Sequence, residues 1–236
     1  MIGRQLHYLL WSRVNGPTVN WRFWSILRDR SSEPLYNPPR LARLLATGLL
    51  CGLHSTKLGY VYHSWGSQSA QADRLERAKQ PVICAIQGFA YGGGLELALA
   101  CDIRIVADST RFAMPEVKLG TVPGWGGTDR LPRLIGSARA KQMIFTGEPI
   151  AADVAERWGL VNEVVPAASL SDRVTELAEK IAGNAPVAVQ TAKQLIASPS
   201  SVTLESLASA VNAFSDDAKE GLAAFREKRS PEFEGR

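Results

Sequence analysis

Two acidic residues in apolar surroundings, Glu96 and Glu116, are the first candidates for chemistry in this sequence. Glu96 lies within "GGGLELALA", and Glu116 directly follows Pro115 in "FAMPEVKLG". Apolar walls raise the pKa of a carboxyl group, which makes it a usable acid or base near neutral pH. For Glu96 a structural role is an equal alternative, because an acid in the first turn of a helix interacts favourably with the helix dipole. The presence of the second acid favours proton transfer.

Three consecutive glycines precede Glu96, in "YGGGLE". We predict a helix that begins near Gly92–Gly94 and exposes backbone N–H groups to which a ligand can come close. Such groups suit an oxygen with negative charge, either a phosphate or the oxyanion of an enolate or tetrahedral intermediate. The stretch lacks the Gly-Lys-Ser/Thr and G-x-G-x-x-G patterns of nucleotide-binding loops. Together with the acids Glu96 and Glu116, the glycine stretch indicates proton transfer next to a carbonyl group.

The elements that must position these residues alternate from residue 73 onward. The sequence predicts a short charged helix over 72–80, then strands over 81–86, 103–108 and 160–165. Helices are expected over 131–147 and 147–159, the second ended by Gly159, and over most of the last seventy residues, with Pro186 at a helix start. This order predicts an α/β architecture.

Residues 1–72 differ from the rest of the chain. They hold eight basic and two acidic residues, a charge of +6, so the remaining residues carry −2 of the total of +4. They contain no clean alternating strand, and only 41–53 is typical of a helix. Residues 1–28 are Arg-rich and free of acids, as a mitochondrial transit peptide would be. The alternatives are that this segment is a basic extension or that it is not native to this fold.

The overall composition excludes several classes of protein. A chain of 236 residues that is 45% hydrophobic can form one sizeable domain. No apolar run is long enough for a membrane span. Three scattered cysteines do not make a disulfide framework, and they form no metal-ligand spacing with the three histidines.

The longest informative stretch is "PVICAIQGFAYGGGLELALACDIRIVADSTRFAMPEVKLGTVPGWGGTDRLPRLIG". It resembles the core of the enoyl-CoA hydratase/isomerase (crotonase) superfamily, and "TGEPIAADVAERWGLVNEVVP" and "AFSDDAKEGLAAFREKRSPEFEG" extend the resemblance over roughly 73–236. The resemblance implies a crotonase-like β/β/α spiral core over 73–170 and a C-terminal helical trimerisation region over 171–236, after an atypical basic segment, 1–72. It also implies a homotrimer or hexamer that acts on an acyl-CoA thioester and needs no metal and no cofactor, since coenzyme A is part of the substrate.

The same resemblance implies roles for the chemical residues. The backbone N–H of Gly93, next to Gly92, would hold the thioester oxygen as charge develops there. Glu96 and Glu116 match the two acids of family hydratases, including their separation of twenty residues. Together they would position a water across the double bond of a 2-enoyl-CoA, with Glu116 as the proton donor to the α-carbon. Because family isomerases often retain only one of the acids, the pair favours hydration.

Further residues are implied to bind substrate. Gly124 and Trp125, in "TVPGWGGTDRLPR", would form one wall of the acyl pocket, where Trp125 either narrows the channel or is a packing aromatic. Phe225 and Lys228 resemble the C-terminal residues that contact the adenine and phosphates of coenzyme A, often across a subunit boundary. For Lys228, membership of a solvated charge run is the alternative. Two further residues, Asp102 and Arg104, are expected to serve structure.

One expected part of the family pattern is not found in residues 1–72. A segment of the type "AFCAGADL" supplies the second oxyanion N–H and the adenine cradle in the family, and its usual spacing falls on "GLLCGLHS" (48–55). Three interpretations therefore stay open. The chain is a hydratase, or it performs isomerisation or other acyl-CoA enolate chemistry, or it is a catalytically impaired member that acts as a structural or nucleic-acid-binding subunit. Nucleic acid is the least favoured partner.

Overall fold

The computed structural model describes residues 72–198 and 201–236 in full, and residues 7–10 and 20–25 as strand backbone. The helix predicted over 41–53 and the stretch 48–55 lie outside the described residues. Residues 72–76 are helical, within the range predicted for the first charged helix.

A five-stranded sheet forms the centre of the fold. Its strands lie in the order β1 (His7–Leu10), β2 (Asn20–Ser25), β3 (Val82–Gln87), β5 (Ile103–Ala107) and β8 (Glu163–Val165). Strands β3, β5 and β8 are parallel, and β1, β2 and β3 are antiparallel. Residues 82–86 of β3 are all buried, as expected for a parallel strand covered on both faces. The strands predicted near 81–86, 103–108 and 160–165 are therefore confirmed.

Residues 1–72 show no clean alternating strand in the sequence, yet the backbone of residues 20–25 forms the strand β2. The backbone of β2 pairs antiparallel with β3, with Asn20 opposite Gln87 and Ser25 opposite Val82. The segment "NWRFWS" mixes polar and aromatic residues at both alternating positions, so it lacks the period-two pattern that marks a strand with one buried face. The pairing of β2 with β3 uses backbone N–H and C=O groups, and the order of side chains along the sequence carries no information about these groups.

A second, three-stranded sheet carries the segments that lead into the site. It consists of β4 (Phe89–Tyr91), β6 (Arg111–Ala113) and β7 (Ile150–Ala151), with β4 and β6 parallel. Strand β4 ends at the glycine turn, and β6 ends two residues before Pro115 and three before Glu116. Because neighbouring parallel strands end at the same edge of a sheet, the turn and the second acid emerge side by side.

Four helices follow the strands of the core. They are α1 (Gly93–Leu99), α2 (Gly127–Ile135), α3 (Ser137–Thr146) and α4 (Ala152–Trp158), and a short 3-10 helix, Glu116–Leu119, precedes α2. The single helix predicted over 131–147 is two helices, because Gly136, with φ 79°, ends α2 and turns the chain into α3. Gly159, with φ 81°, ends α4 as predicted.

The C-terminal region consists of the helices α5 (Leu170–Ala182), α6 (Pro186–Ala197), α7 (Val202–Ala213) and α8 (Asp216–Glu227). Pro186 begins α6 as predicted. No residue of α6 or α7 is buried within the described chain. Instead these helices and the turn after them expose a set of large apolar side chains: Ile196, Val202, Leu204, Leu207, Val211 and Phe214.

The central sheet separates two apolar clusters. Val82, Cys84 and Ile86 of β3 face the larger cluster, which also contains residues of α1, β6, α2, α3 and α4. Ile83 and Ala85 face a smaller cluster beneath α5. Successive side chains of a strand point to opposite faces, so one strand serves both layers. The helix that carries Glu96 packs in the larger cluster.

Candidate active site

The glycine turn begins the site. Gly92 has φ 53° and ψ −128°, a conformation that side chains rarely adopt, and its N–H donates to the Ala113 carbonyl at 2.9 Å. The first intrahelical bond of α1 runs from the Glu96 N–H to the Gly92 carbonyl at 3.0 Å. The N–H groups of Gly93, Gly94 and Leu95 precede that bond and are available to an acceptor outside the helix. The predicted helix start is therefore confirmed at Gly93.

Glu116 lies directly against this turn. A β-carbon placed at Gly92 would lie 3.0 Å from Glu116 Oε1, so a side chain at this position would crowd the carboxyl group. Both carboxyl oxygens are shielded from solvent, and among the described residues neither has a hydrogen-bond partner. Burial raises the pKa of Glu116, its own backbone amide opposes that shift, and the charge of Glu96 raises the pKa further. Such a group holds its proton to higher pH than a solvated glutamate and can deliver it to a bound molecule.

Glu96 is held by a loop from elsewhere in the chain. Its side chain is only 2% exposed, and Oε1 accepts hydrogen bonds from the N–H of Trp125 at 2.7 Å and of Gly127 at 2.8 Å. Burial raises its pKa, while the amides of Gly127, Trp125 and Gly124 and the charge of Arg130 oppose that shift. Glu96 is thus oriented by backbone donors, whereas Glu116 is not.

The glycine-rich loop fits closely around the acids. A β-carbon at Gly127 would lie 2.9 Å from Glu96 Oε1 and 3.0 Å from Met114 Cε. The indole ring of Trp125 covers Gly93 and packs against the small apolar cluster that includes Leu97. Trp125 is therefore a packing aromatic that also contacts the glycine turn. Its effect on an acyl channel stays a prediction.

The sequence profile of the enoyl-CoA hydratase/isomerase family matches residues 55–236. The chain belongs to the enoyl-CoA hydratase/isomerase family. It is 48% identical over 165 residues to the short-chain-enoyl-CoA hydratase of Clostridium acetobutylicum, and the aligned region covers 67% of this chain and 63% of that protein. It is 45% identical over 167 residues to the carnitinyl-CoA dehydratase of Proteus mirabilis, covering 66% of this chain and 64% of the relative. The chain thus spans less than two thirds of the length of these curated relatives.

The fold of the family is also confirmed by a solved structure. The enoyl-CoA hydratase from Bacillus anthracis superposes with a TM-score of 0.75 and 42% identity, over 77% of this chain and 73% of that chain. The crotonase-like fold predicted from the sequence is therefore correct. No result bears on the division at residues 72 and 170, which stays a prediction.

Most of the predicted site residues of this family member come together. The turn residues Gly92 and Gly93 contact Glu116 and Trp125, while Glu96 is bound by the loop that follows Gly124. The two predicted coenzyme A contacts do not join this cluster within one chain. Phe225 is 81% exposed on α8, and Lys228 is exposed at the end of that helix.

Sequence reasoning missed two residues of the site. One is Gly127, a direct donor to Glu96, and the other is the buried Arg130, whose guanidinium donates to the Trp125 carbonyl at 2.8 Å. An arginine directly after the glycine-rich stretch and before the apolar run "LPRLIG" is the signal that could have revealed the second. The structural role predicted for Arg104 is confirmed, since its buried side chain donates to carbonyls of Ala98 and Cys101 at the end of α1.

In residues 72–198 and 201–236, no three His, Cys, Asp or Glu side chains are grouped as the ligands of a metal ion would be. None of the helices in the same part of the chain combines the length and hydrophobicity that crossing a bilayer requires. The absence of a metal and of a cofactor from the reaction stays a prediction.

Proposed function

We propose that this protein adds water across the double bond of a 2-enoyl-CoA thioester, or removes it in the reverse direction. The observation that carries the proposal is the pairing of two different acids at one glycine turn. Glu96 is fixed by two backbone donors, and Glu116 presents a buried carboxyl group beside Gly92 with no partner among the described residues. Hydration needs one group that activates water and another that supplies a proton.

The backbone of the turn supplies the electrostatic part of the reaction. The N–H of Gly93 would donate to the thioester oxygen as the α-carbon takes on carbanion character and charge moves to that oxygen. One such donor lowers a barrier by about 2.7–4 kcal/mol in enzymes where it has been removed. Glu116 lies on the same turn, so the proton donor and the oxyanion site would act on neighbouring atoms of one substrate.

The two acids divide the proton transfers between them. Glu116 would protonate the α-carbon, because its raised pKa and its lack of other partners leave its proton available. Glu96 would orient the water and accept its proton. Its pKa is also raised, which makes it a stronger base than a solvated carboxylate, and the amides of Trp125 and Gly127 keep its side chain in one position. After one turnover Glu96 carries the proton taken from water and Glu116 has lost its own, so one proton must pass from Glu96 to Glu116, directly or through solvent, before the next turnover.

Retention of both acids favours hydration over double-bond isomerisation. An isomerase moves a proton from one carbon to another, and a single carboxyl group can do both steps. A second buried carboxyl group costs stability, because like charges and burial disfavour ionisation. Its presence beside the turn therefore supports a reaction that uses both acids.

Substrate binding and assembly complete the proposal. Phe225 and Lys228 lie exposed on α8, where they are accessible to the adenine and phosphates of a coenzyme A bound by a neighbouring subunit. A lysine suits a phosphate as a point charge. The large exposed apolar side chains of α6 and α7 support assembly into a homotrimer or hexamer, because extensive exposed apolar surface is typical of interfaces.

The function is tested with purified full-length protein and crotonyl-CoA. We expect the absorbance of the enoyl thioester band to fall with time, and Glu116→Gln to reduce the rate by about 10²–10⁴-fold, the usual contribution of a general acid. Glu176→Gln is the matched control, since this glutamate is 72% exposed on α5. Lack of turnover by the unaltered protein on any 2-enoyl-CoA would contradict the function. Full activity of Glu116→Gln would contradict the role of that acid.

A further inference from the structure

The side chain of Arg130 joins three separate segments of the chain. It is only 7% exposed, although arginine is rarely buried unless it is paired. Nε and Nη2 donate to Glu76 Oε2 at 3.0 and 2.7 Å, and Nη2 also donates to Asp73 Oδ1 at 2.7 Å. Nη1 donates to the Trp125 carbonyl at 2.8 Å. The guanidinium thus connects residues 72–76 to the glycine-rich loop at the start of α2.

The loop segment Trp125–Gly127 is held from two sides. The N–H of Trp125 donates to Glu96, and the carbonyl of the same residue accepts from Arg130. The next residue, Gly126, has φ 97°, and a β-carbon there would come within 2.1 Å of Arg130 Nη1. The loop therefore requires glycine at this position so that the guanidinium can reach the backbone. Any shift of Arg130 moves the peptide groups that hold Glu96.

We propose that Arg130 is a positioning residue, which fixes the Trp125–Gly127 segment and through it the orientation and charge environment of Glu96. Its link to turnover rests on the hydratase function proposed above, whereas its effect on Glu96 does not. A planar guanidinium is suited to this role because it donates several hydrogen bonds in fixed directions at once. A lysine carries the same charge but cannot hold Trp125, Asp73 and Glu76 with the same geometry.

The charged groups around Glu96 define the expected effect on its titration. Among the described residues, Arg130 of α2 lowers the pKa of Glu96, and the charge of Glu96 is coupled to that of Glu116 on the 3-10 helix. Asp73 and Glu76 reach this site through Arg130, whose charge they partly neutralise. Asp129, also on α2, is exposed and pairs with Arg133. Loss of the Arg130 charge is therefore expected to raise the pKa of Glu96.

The test compares Arg130→Met and Arg130→Lys with Arg133→Met in the full chain. Arg133 is the matched control, because it lies on the same helix, is 66% exposed and pairs with Asp129. The backbone ¹⁵N–¹H signals of Trp125 and Gly127 report the ionisation of Glu96, since both groups donate to its carboxylate. We expect the pH midpoint of these two signals to rise by roughly 0.5–1 pH unit in Arg130→Met, because one positive charge near Glu96 is lost. The midpoint should be unchanged in Arg130→Lys and Arg133→Met. An unchanged midpoint in folded Arg130→Met would overturn the proposal.

A second arm applies if Arg130→Met does not fold. The double variant Asp73→Asn/Glu76→Gln keeps the arginine and removes its anchors, whose side chains are 46% and 39% exposed. We expect the amides of Trp125 and Gly127 to exchange with solvent at least tenfold faster, while amides of β3 stay as protected as before. Equal protection of the loop in the double variant and the unaltered protein would also overturn the proposal.

Kinetics separates this proposal from the proposed function. If the protein hydrates crotonyl-CoA, Arg130→Met is expected to lower kcat by about 10–100-fold with less than a threefold change in KM. The acid limb of its pH profile should move to higher pH, and Arg130→Lys should restore the position of that limb but not the full kcat. A lower kcat with an unshifted limb would indicate a purely structural role and overturn the proposal. If no enoyl-CoA is hydrated, the function fails, and the titration of Trp125 and Gly127 still decides the role of Arg130.

Discussion

The indole ring of Trp125 lies directly against the α-carbon of Gly93. A β-carbon at residue 93 would be 2.2 Å from Trp125 Cζ3 and 2.6 Å from Cη2, distances that no real packing allows. The backbone of the same tryptophan is bound to Glu96. The residue proposed to hold the thioester oxygen and the residue proposed to line the acyl pocket therefore constrain each other, and this contact can be tested directly.

Gly93→Ala is expected to lower the free energy of unfolding by about 1–3 kcal/mol, because the new methyl group forces the rigid ring out of its place. Replacing the ring as well, in Gly93→Ala/Trp125→Leu, should recover part of that loss. Urea denaturation of the four proteins of the double-mutant cycle gives the coupling, expected at about 0.5–3 kcal/mol.

Gly183→Ala is the control for the glycine substitution. At that position a β-carbon would meet its nearest neighbour, the Glu179 carbonyl oxygen, at 3.5 Å, an ordinary contact. We expect no comparable loss of stability there. Additive effects of the two substitutions in the cycle would show that residues 93 and 125 do not clash.

Trp125→Ala is expected to change the preference for acyl-chain length if the indole narrows the acyl channel. Removing the ring opens space beside Gly93, so the ratio of kcat/KM for a ten-carbon 2-enoyl-CoA to that for crotonyl-CoA should rise about tenfold, the value of roughly 1.4 kcal/mol in a hydrophobic pocket. Steady-state kinetics with both substrates measures the ratio. A lower activity with the same ratio would leave Trp125 as a packing residue only.

Glu116→Gln is expected to stabilise the protein in a pH-dependent way. Since the pKa of Glu116 is raised on folding, the folded protein binds this proton more tightly than the unfolded chain does. Protonated Glu116 contributes stability below its ordinary pKa near 4.5, and this contribution is lost as the pH rises through the higher pKa that Glu116 has in the folded protein. The glutamine variant lacks that loss.

Thermal unfolding of both proteins from pH 4 to pH 8 measures this effect. The Tm of the variant minus that of the unaltered protein should grow as the pH rises from 4 to 8, because only the unaltered protein loses stability when Glu116 ionises. A constant difference between the two proteins, or a variant that becomes relatively weaker at high pH, would show that Glu116 is not strained by ionisation.

Arg104→Lys is expected to destabilise the fold by about 3 kcal/mol. The buried guanidinium donates to the Leu160 carbonyl at 2.8 Å and to the Cys101 carbonyl at 2.6 Å, and a lysine cannot serve both. Chemical denaturation measures the loss. Arg157→Lys is the control, because this arginine forms an exposed ion pair with Asp153 and should change stability by less than about 0.5 kcal/mol. Equal stability of the two variants would refute the structural role of Arg104.

Local features of the sequence were sufficient to predict the glycine turn, the apolar setting of Glu96 and much of the fold. The glycine turn and the apolar setting of Glu96 predict a helix start with an acid one turn inside, because both depend on residues adjacent in the chain. The same holds for the buried strands and for Gly159, whose freedom from a side chain suits the end of a helix. Gly136 shows the limit of such reasoning, since a helical pattern on both sides hid the break between α2 and α3.

Tertiary structure alone decided how the acids differ. Glu96 is oriented by N–H groups 29 and 31 residues away, and Arg130 is anchored by acids 57 and 54 residues away. Periodicity and propensity report the preferences of short segments, whereas these hydrogen bonds exist only because separate segments cross in the folded chain. The sequence therefore determined which residues could do the chemistry. The packing of the loop determined that Glu96 is fixed while Glu116 keeps its carboxyl oxygens free of partners in the part of the chain described.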